Sequence, residues 1–268
     1  MTEILLSELW CHPVKSLRGH SLQRATIDRL GVADDRRWML VDESDRFLTQ
    51  RQQPRMALLT PEVREDGLLL RRADGDPLLA PLDPEGERLR VRIWDDECEA
   101  DHVSDDADAW LSDFLGQAVR LVRIRDDSER QVDLNYARPG DLAAFSDGFP
   151  LLLISQASLD DLNRRIGGEP LPMRRFRPNL VVRGCEPYAE DRWKRIRIGD
   201  IELRVVKPCS RCVIPTIDPE TAEKHPDKEP MRTLLSYRRR DNKVYFGQNL
   251  LHDNEGELEL GMPVEILE

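Results

Sequence analysis

Short apolar stretches separated by turn-forming residues dominate this chain, and few of them keep the 3.6-residue period of a helix. Ile4-Leu5-Leu6 and Leu9-Trp10 predict a strand over residues 3–10, ended by Cys11-His12-Pro13, where proline removes a backbone donor. Trp38–Val41 and residues 46–49 flank an acidic turn and predict a hairpin. Asp66-Gly67 and Asp74-Gly75 bracket Leu68-Leu69-Leu70, and both dipeptides favour tight turns. Leu89, Val91 and Ile93 alternate with Arg88, Arg90 and Arg92, so that arginine stripe reads as the wet face of a half-buried strand. A helix follows, capped by Asp105 or Asp106, with Ala107, Trp110, Leu111 and Phe114 on one face and Gly116 as its stop. Residues 119–124 then read as a strand.

Residues 125–149 are polar and irregular, a length of loop that marks a linker or a functional segment. Residues 149–154 form a continuous apolar run, as in a strand buried on both faces. Ser155 or Ser158 caps a second helix bearing Leu159, Leu162 and Ile166, stopped by Gly167-Gly168. Residues 180–182 read as a strand, and Arg195–Ile198 with 201–206 as a hairpin around Gly199-Asp200. Glu229-Pro230 opens a short helix, and strands at 243–246, 257–260 and 264–267 close the chain. The fold class is therefore α+β and strand-rich, with a bent or barrel-like sheet in the second half and a domain boundary near residue 120.

Composition narrows the function classes. The net charge of −11 argues against binding a nucleic-acid polymer or an anionic membrane surface. No apolar run is long enough to span a bilayer, and Glu3 stands where a secretory signal carries positive charge. Five irregularly spaced cysteines do not form a disulfide framework, which points to the reducing cytoplasm.

The chemistry concentrates in residues 207–219, where Cys209-Ser210-Arg211-Cys212 sets two thiols beside cations that favour the thiolate. Zinc would need further cysteine or histidine ligands, and Cys11, Cys98 and Cys185 are isolated. A thioredoxin-type dithiol opens a helix, whereas Pro215 and Pro219 follow here. Two inert half-buried thiols and a thiolate presented to a soft metal both remain compatible with the spacing. Arg174, Arg175 and Arg177 cluster before a strand, an arrangement that suits phosphate as well as a wet surface.

Taken together, the chain resembles the MOSC-domain family, in the group with an additional N-terminal β-barrel-like domain that includes amidoxime-reducing proteins. The resemblance rests on His12-Pro13-Val14-Lys15-Ser16, Asp35-Arg36 before Trp38, Ser146-Asp147 before Pro150, and Phe176-Arg177-Pro178-Asn179. It continues through Cys209-Ser210-Arg211-Cys212, Asp218-Pro219, Glu229-Pro230 and Phe246-Gly247-Gln248. It implies a smaller N-terminal α/β domain over residues 1–120, whose first strand is free to pair with the second domain, and a MOSC β-barrel-like domain over 121–268 that binds the molybdenum cofactor, a pterin dithiolene carrying a phosphate. It also implies Cys212 as the metal ligand and catalytic residue, with cofactor contacts at Lys15, Ser16, Arg36, Asp147, Arg177, Asn179, Ser210, Arg211, Gln248 and Asn249.

The implied activity is detoxifying reduction of hydroxylamines, amidoximes and N-hydroxylated nucleobases. Its electrons would come from a separate donor protein of flavin reductase, ferredoxin or cytochrome type, since no cysteine set for a two-iron cluster is present. A non-catalytic cofactor carrier or sulfur carrier is the alternative. Pro215, where relatives commonly have threonine, and Gly148-Phe149, in place of a more polar pair, are departures on the expected substrate side.

Overall fold

The computed structural model describes residues 3–84 and 86–268. The first half contains β1 (Leu5–Cys11), β2 (His20–Leu22), β3 (Arg24–Asp28), β4 (Gly31–Val32), β5 (Trp38–Val41), β6 (Thr60–Arg64), β7 (Gly67–Arg71), β8 (Leu78–Ala80), β9 (Arg88–Ile93), β10 (Asp96–His102), α1 (Asp105–Leu115) and β11 (Arg120–Ile124). The second contains β12 (Leu151–Ser155), α2 (Gln156–Ile166), β13 (Leu180–Arg183), β14 (Arg195–Ile198), β15 (Ile201–Ser210), α3 (Met231–Tyr237), β16 (Arg239–Arg240), β17 (Lys243–His252), β18 (Gly256–Glu259) and β19 (Val264–Ile266). Among the described residues, no helix is long and apolar enough to cross a membrane.

The large sheet runs in the order β19-β14-β15-β17-β12-β13-β1-β2, with β16 hanging on β17. Its bend brings the two ends of that path together. Leu6 N donates to Met262 O at 2.9 Å and Val264 N to Ile4 O at 2.8 Å, so β1 meets the chain entering β19 and the sheet nearly closes on itself. The first strand of the sequence thus lies beside β13, in the second half's sheet. Strands β12 and β13 are parallel, and α2 makes the crossover that such a pair requires. Two small sheets, β5-β11-β10-β9 and β6-β7-β8, pack around α1, while β18-β3-β4 flanks the large sheet.

Local patterning accounts for most elements. Strand β9 alternates exposed and buried along its whole length, with the arginines outside as expected, and every residue of β12 is buried. Ser155 caps α2 by accepting from Ser158 N. Three expectations need correction. The cap of α1 is Ser104, whose side chain accepts from Ala107 N, and the aspartates instead occupy the first turn, where the helix dipole favours them. The arm expected at 46–49 reduces to isolated bridges at Arg46 and Phe47. Strand β17 does not stop at Phe246 but continues to His252, because Gly247 at φ +80° lets it bend without leaving the ladder.

Gly247 is irreplaceable on steric grounds. A Cβ there would stand 2.7 Å from Ile154 Cγ1 and 2.9 Å from Leu153 O, and the backbone is left-handed. We predict that Gly247→Ala costs roughly 2–4 kcal/mol in urea unfolding, from left-handed strain plus overpacking. A loss under 1 kcal/mol would show that β17 can shift to accommodate the methyl.

Candidate functional site

A cleft of about 140 Å³ opens where the turn after β1, the chain before β5, the segment before β12, the entry to β13 and the end of β15 converge. Each wall has a local cause. Strand β15 carries irregularities between Val205 and Lys207 and between Pro208 and Ser210, which suit a proline that cannot donate to a ladder. These bulges turn the chain out of β15, so that Cys209, Ser210, Arg211 and Cys212 all line the cleft. Ser16, Arg36 and Arg177 have φ of 66°, 51° and 55°. Left-handed backbone costs a non-glycine residue about 1–2 kcal/mol, and three such residues around one cleft mark a constrained site.

Hydrogen bonds from both halves of the chain fix the basic side chains. Arg36 donates through Nη1 to Asp35 Oδ2 at 2.5 Å and Asn179 Oδ1 at 3.2 Å, and through Nη2 to Arg177 O at 3.1 Å. Arg177 Nη1 donates to Leu17 O at 2.5 Å. Arg211 donates to Phe246 O and Phe176 O at 2.8 and 3.1 Å. Lys15 is buried, and its Nζ donates to Phe145 O at 2.7 Å and Asp147 Oδ1 at 2.5 Å.

The charge balance is lopsided. Lys15, Arg36, Arg51, Arg175, Arg177 and Arg211 line the cleft, against the single carboxylate of Asp147. Asp147 faces both Lys15 and, at 4.0 Å, Arg51, while Asp35 behind Arg36 and Asp218 behind Arg175 offset two more, which leaves Arg177 and Arg211 without a carboxylate partner among the described residues. Burial lowers the Lys15 pKa to about 8, opposed by Asp147. Burial and then the Arg36 guanidinium likewise disfavour the charge on Arg177. Although its surroundings tend to raise it, the Asp147 carboxyl is held well below the usual range by Lys15 and then Arg51; its side chain is 60 % exposed to the water in the cleft. The Nη2 atoms of Arg51, Arg177 and Arg211 are buried without hydrogen-bond partners. Buried cationic donors left unpaired are costly, so this donor set fits an anionic ligand.

The two thiols differ. Cys209 packs against the cluster of Phe176 and Phe246, and burial pushes its pKa up. Cys212 Sγ lies 3.6 Å from Arg51 Nη1. A cysteine sulfur in the cleft lining, beside anion-seeking arginines, fits a soft metal carried by an anionic cofactor.

Of the expected residues, Lys15, Ser16, Arg36, Asp147, Arg177, Asn179, Ser210, Arg211, Cys212 and Asn249 all line the cleft. Asn179 also ties the walls together, with Oδ1 accepting from Leu152 N and Nδ2 donating to Trp10 O. Gln248 is not brought there. It is buried on β17 with its Nε2 donating to Asp191 Oδ1 at 2.6 Å, because alternation along the strand turns it away from Asn249's face. Sequence reasoning missed Arg51 and left Arg175 as one of a cluster. Arg51 follows Thr49-Gln50, and the signal in Thr49-Gln50-Arg51-Gln52 is a polar turn whose neighbour Gln50 donates to Ser16 O at 2.6 Å.

The match to known proteins follows this geometry. The profile of the MOSC N-terminal beta barrel domain matches residues 3–118, and that of the MOSC domain matches 141–265. Mitochondrial amidoxime-reducing component 1 of Mus musculus is 37% identical over 98% of this chain and 82% of its own length. This chain belongs to the MOSC-domain family. Other MOSC relatives are human mitochondrial amidoxime-reducing component 1, 35% identical over 98% of this chain and 82% of that protein, and human component 2, 32% identical over 97% and 82%.

One group behind the cleft titrates far from its usual value. His12 is buried, and burial, followed by the charges of Arg177 and Arg36, holds its pKa down to about 3. It is therefore neutral at pH 7. Between pH 6.5 and about 3 the unfolded chain takes up a proton on His12 that the native protein refuses, so stability falls as pH falls through that window. We predict that His12→Gln flattens the urea stability profile between pH 6 and 4 by up to about 1.4 kcal/mol per pH unit. An unchanged slope would mean that His12 takes up its proton without unfolding the chain.

Proposed function

We propose that the protein is a molybdenum-cofactor reductase of N-hydroxylated compounds, supplied with electrons by a separate donor protein. One observation carries the reading: the same cleft is lined by a cysteine and by three arginines whose buried Nη2 atoms have no hydrogen-bond partner among the described residues. The names of the amidoxime-reducing relatives support the reaction class. The overall change is R–NH–OH + 2e⁻ + 2H⁺ → R–NH₂ + H₂O.

When bound, the molybdenum cofactor supplies the two-electron chemistry that removes oxygen from the N–OH group. The protein's part is binding, orientation and electrostatics. Cys212 would ligate the metal. Arg177 and Arg211 would hold the anionic cofactor through their Nη2 groups, while backbone carbonyls fix their other N–H groups, so little side-chain freedom is lost on binding; Arg36 would add its charge beside them. Arg51, with Nη1 at 3.6 Å from Cys212 Sγ, would orient that sulfur toward the metal. Ser210 and Asn249 would add neutral contacts from β15 and β17. Lys15, with a pKa of about 8, keeps its proton on Nζ at pH 7 and donates it in a hydrogen bond to the Asp147 carboxylate, whose side chain is open to solvent. His12, neutral at pH 7 and outside the cleft lining, serves as structure.

The test is elemental analysis of protein made in a host that synthesises the cofactor, with benzamidoxime reduction driven by a reduced dye. We expect stoichiometric molybdenum and turnover in the wild type, and loss of both in Cys212→Ala with folding intact by circular dichroism. Full molybdenum and activity in Cys212→Ala would remove Cys212 from the metal. Molybdenum without turnover of any N-hydroxylated compound would favour a carrier.

A further inference from the structure

Trp94 fills the first position of the two-residue turn that joins Ile93 to its partner Asp96, a hairpin position that calls for left-handed backbone. It sits between β9 and β10 at φ 56°, a left-handed conformation costly for a bulky residue and ordinary for glycine or asparagine. It is also 45% exposed. Yet its surroundings are specific. Its Nε1 donates to Asp147 Oδ1 at 3.3 Å, its ring lies 4.5 Å from the Arg51 guanidinium carbon, and Phe47 meets it at 5.0 Å with a 55° tilt. Arg51 Nη1 in turn reaches Cys212 Sγ. The indole is therefore one guanidinium away from the sulfur, fastened at its nitrogen, and still exposes much of its surface to water. Phe149 lines the cleft two residues past Asp147, with Tyr136 edge-on at 6.0 Å and the Lys207 ammonium 4.0 Å from the Tyr136 ring. The rim near Asp147 is thus aromatic, whereas the cleft interior is cationic.

We infer that Trp94 is a substrate-specificity residue, a stacking platform for the planar conjugated body of an N-hydroxylated substrate whose N–OH group points toward Cys212. An aryl amidoxime or an N-hydroxylated nucleobase has the flat π-face that an indole binds well, and hydroxylamine itself has none. The fixed indole loses little rotamer freedom when a ring settles on it, since Asp147 and Arg51 already hold it. The platform would act on KM more than on kcat, because stacking on a remote ring is equal in ground and transition states. This inference rests on the reductase reading for its substrate class, but the binding of a flat ring can be measured without turnover.

The experiment uses molybdenum-loaded protein and three forms: wild type, Trp94→Asn, which suits the left-handed backbone, and Trp94→Tyr, which keeps a π-face. The ratio of kcat/KM for benzamidoxime to that for hydroxylamine should fall about five- to ten-fold in Trp94→Asn, mainly through KM for benzamidoxime, and recover in Trp94→Tyr. Without an electron donor, benzamidoxime should quench tryptophan fluorescence in the wild type, and Trp94→Asn should lose that quenching and bind the amidoxime at least five-fold more weakly by ligand-observed NMR. Equal affinity and an unchanged ratio in Trp94→Asn at full molybdenum content would overturn the platform while leaving the reductase intact. Quenching that depends on Trp94 in a protein that reduces neither compound would uphold the platform and defeat the reductase reading.

Discussion

The site depends on holding like charges together. Arg36 and Arg177 contact each other through a guanidinium-to-carbonyl bond, and Asp35, with a weaker contribution from Asp147, offsets part of the pair's charge. Left alone, such groups would separate or turn to solvent. They stay because Arg177 is pinned to Leu17 O and Arg36 to Asn179 Oδ1, while their backbones occupy left-handed conformations that leave little room to swing. The nearly closed large sheet makes this possible. Strands β1 and β13 are neighbours, so the turn following one and the arginine entering the other are brought side by side despite a separation of some 160 positions in sequence. The protein carries strain and unpaired donors at one place, and a multiply charged anion would satisfy the donors.

That arrangement explains why the site was legible in parts. The cysteine pair, the Lys15-Ser16 turn and the Arg177-Pro178-Asn179 entry each announce themselves through residue type next to a strand end. Their convergence depends on strand pairing at long range, which a single sequence does not encode locally. Arg51 shows the limit. It belongs to a polar turn with no apolar periodicity, and only the packing of that turn onto Ser16 carries its guanidinium to Cys212. Trp94 escaped notice for the opposite reason: an aromatic at the end of an alternating strand reads as one more core position, and the left-handed turn that exposes it has no signature without glycine or asparagine.

Fold errors have similar physical roots. Aspartate is a good helix cap, but Ser104 wins because its extended backbone directs a hydroxyl at Ala107 N, after which Asp105 and Asp106 gain from the helix dipole. Gly247 looked like the end of a strand and is instead a bend within it, required by the close approach of Ile154. Alternation after that bend sends Asn249 toward the cleft and Gln248 toward Asp191. A one-residue error in register would have exchanged those two roles.

The contrast between the whole molecule and its cleft fits this division of labour. With a net charge of −11, the protein repels anions at long range, and salt screens that repulsion beyond about 8–10 Å. Inside the cleft the dielectric is lower and the fixed cations act at contact, so an anionic cofactor already in place would be retained against the outer field. Hydroxylamines and amidoximes are uncharged at neutral pH, and the outer field would neither draw them in nor keep them out. Discrimination among such substrates must then come from shape and surface at the rim, where aromatic side chains replace cations. A cleft that is cationic within and aromatic at its mouth has the means to hold an anionic cofactor by charge and, under the reductase reading, to sort neutral substrates by the faces they present.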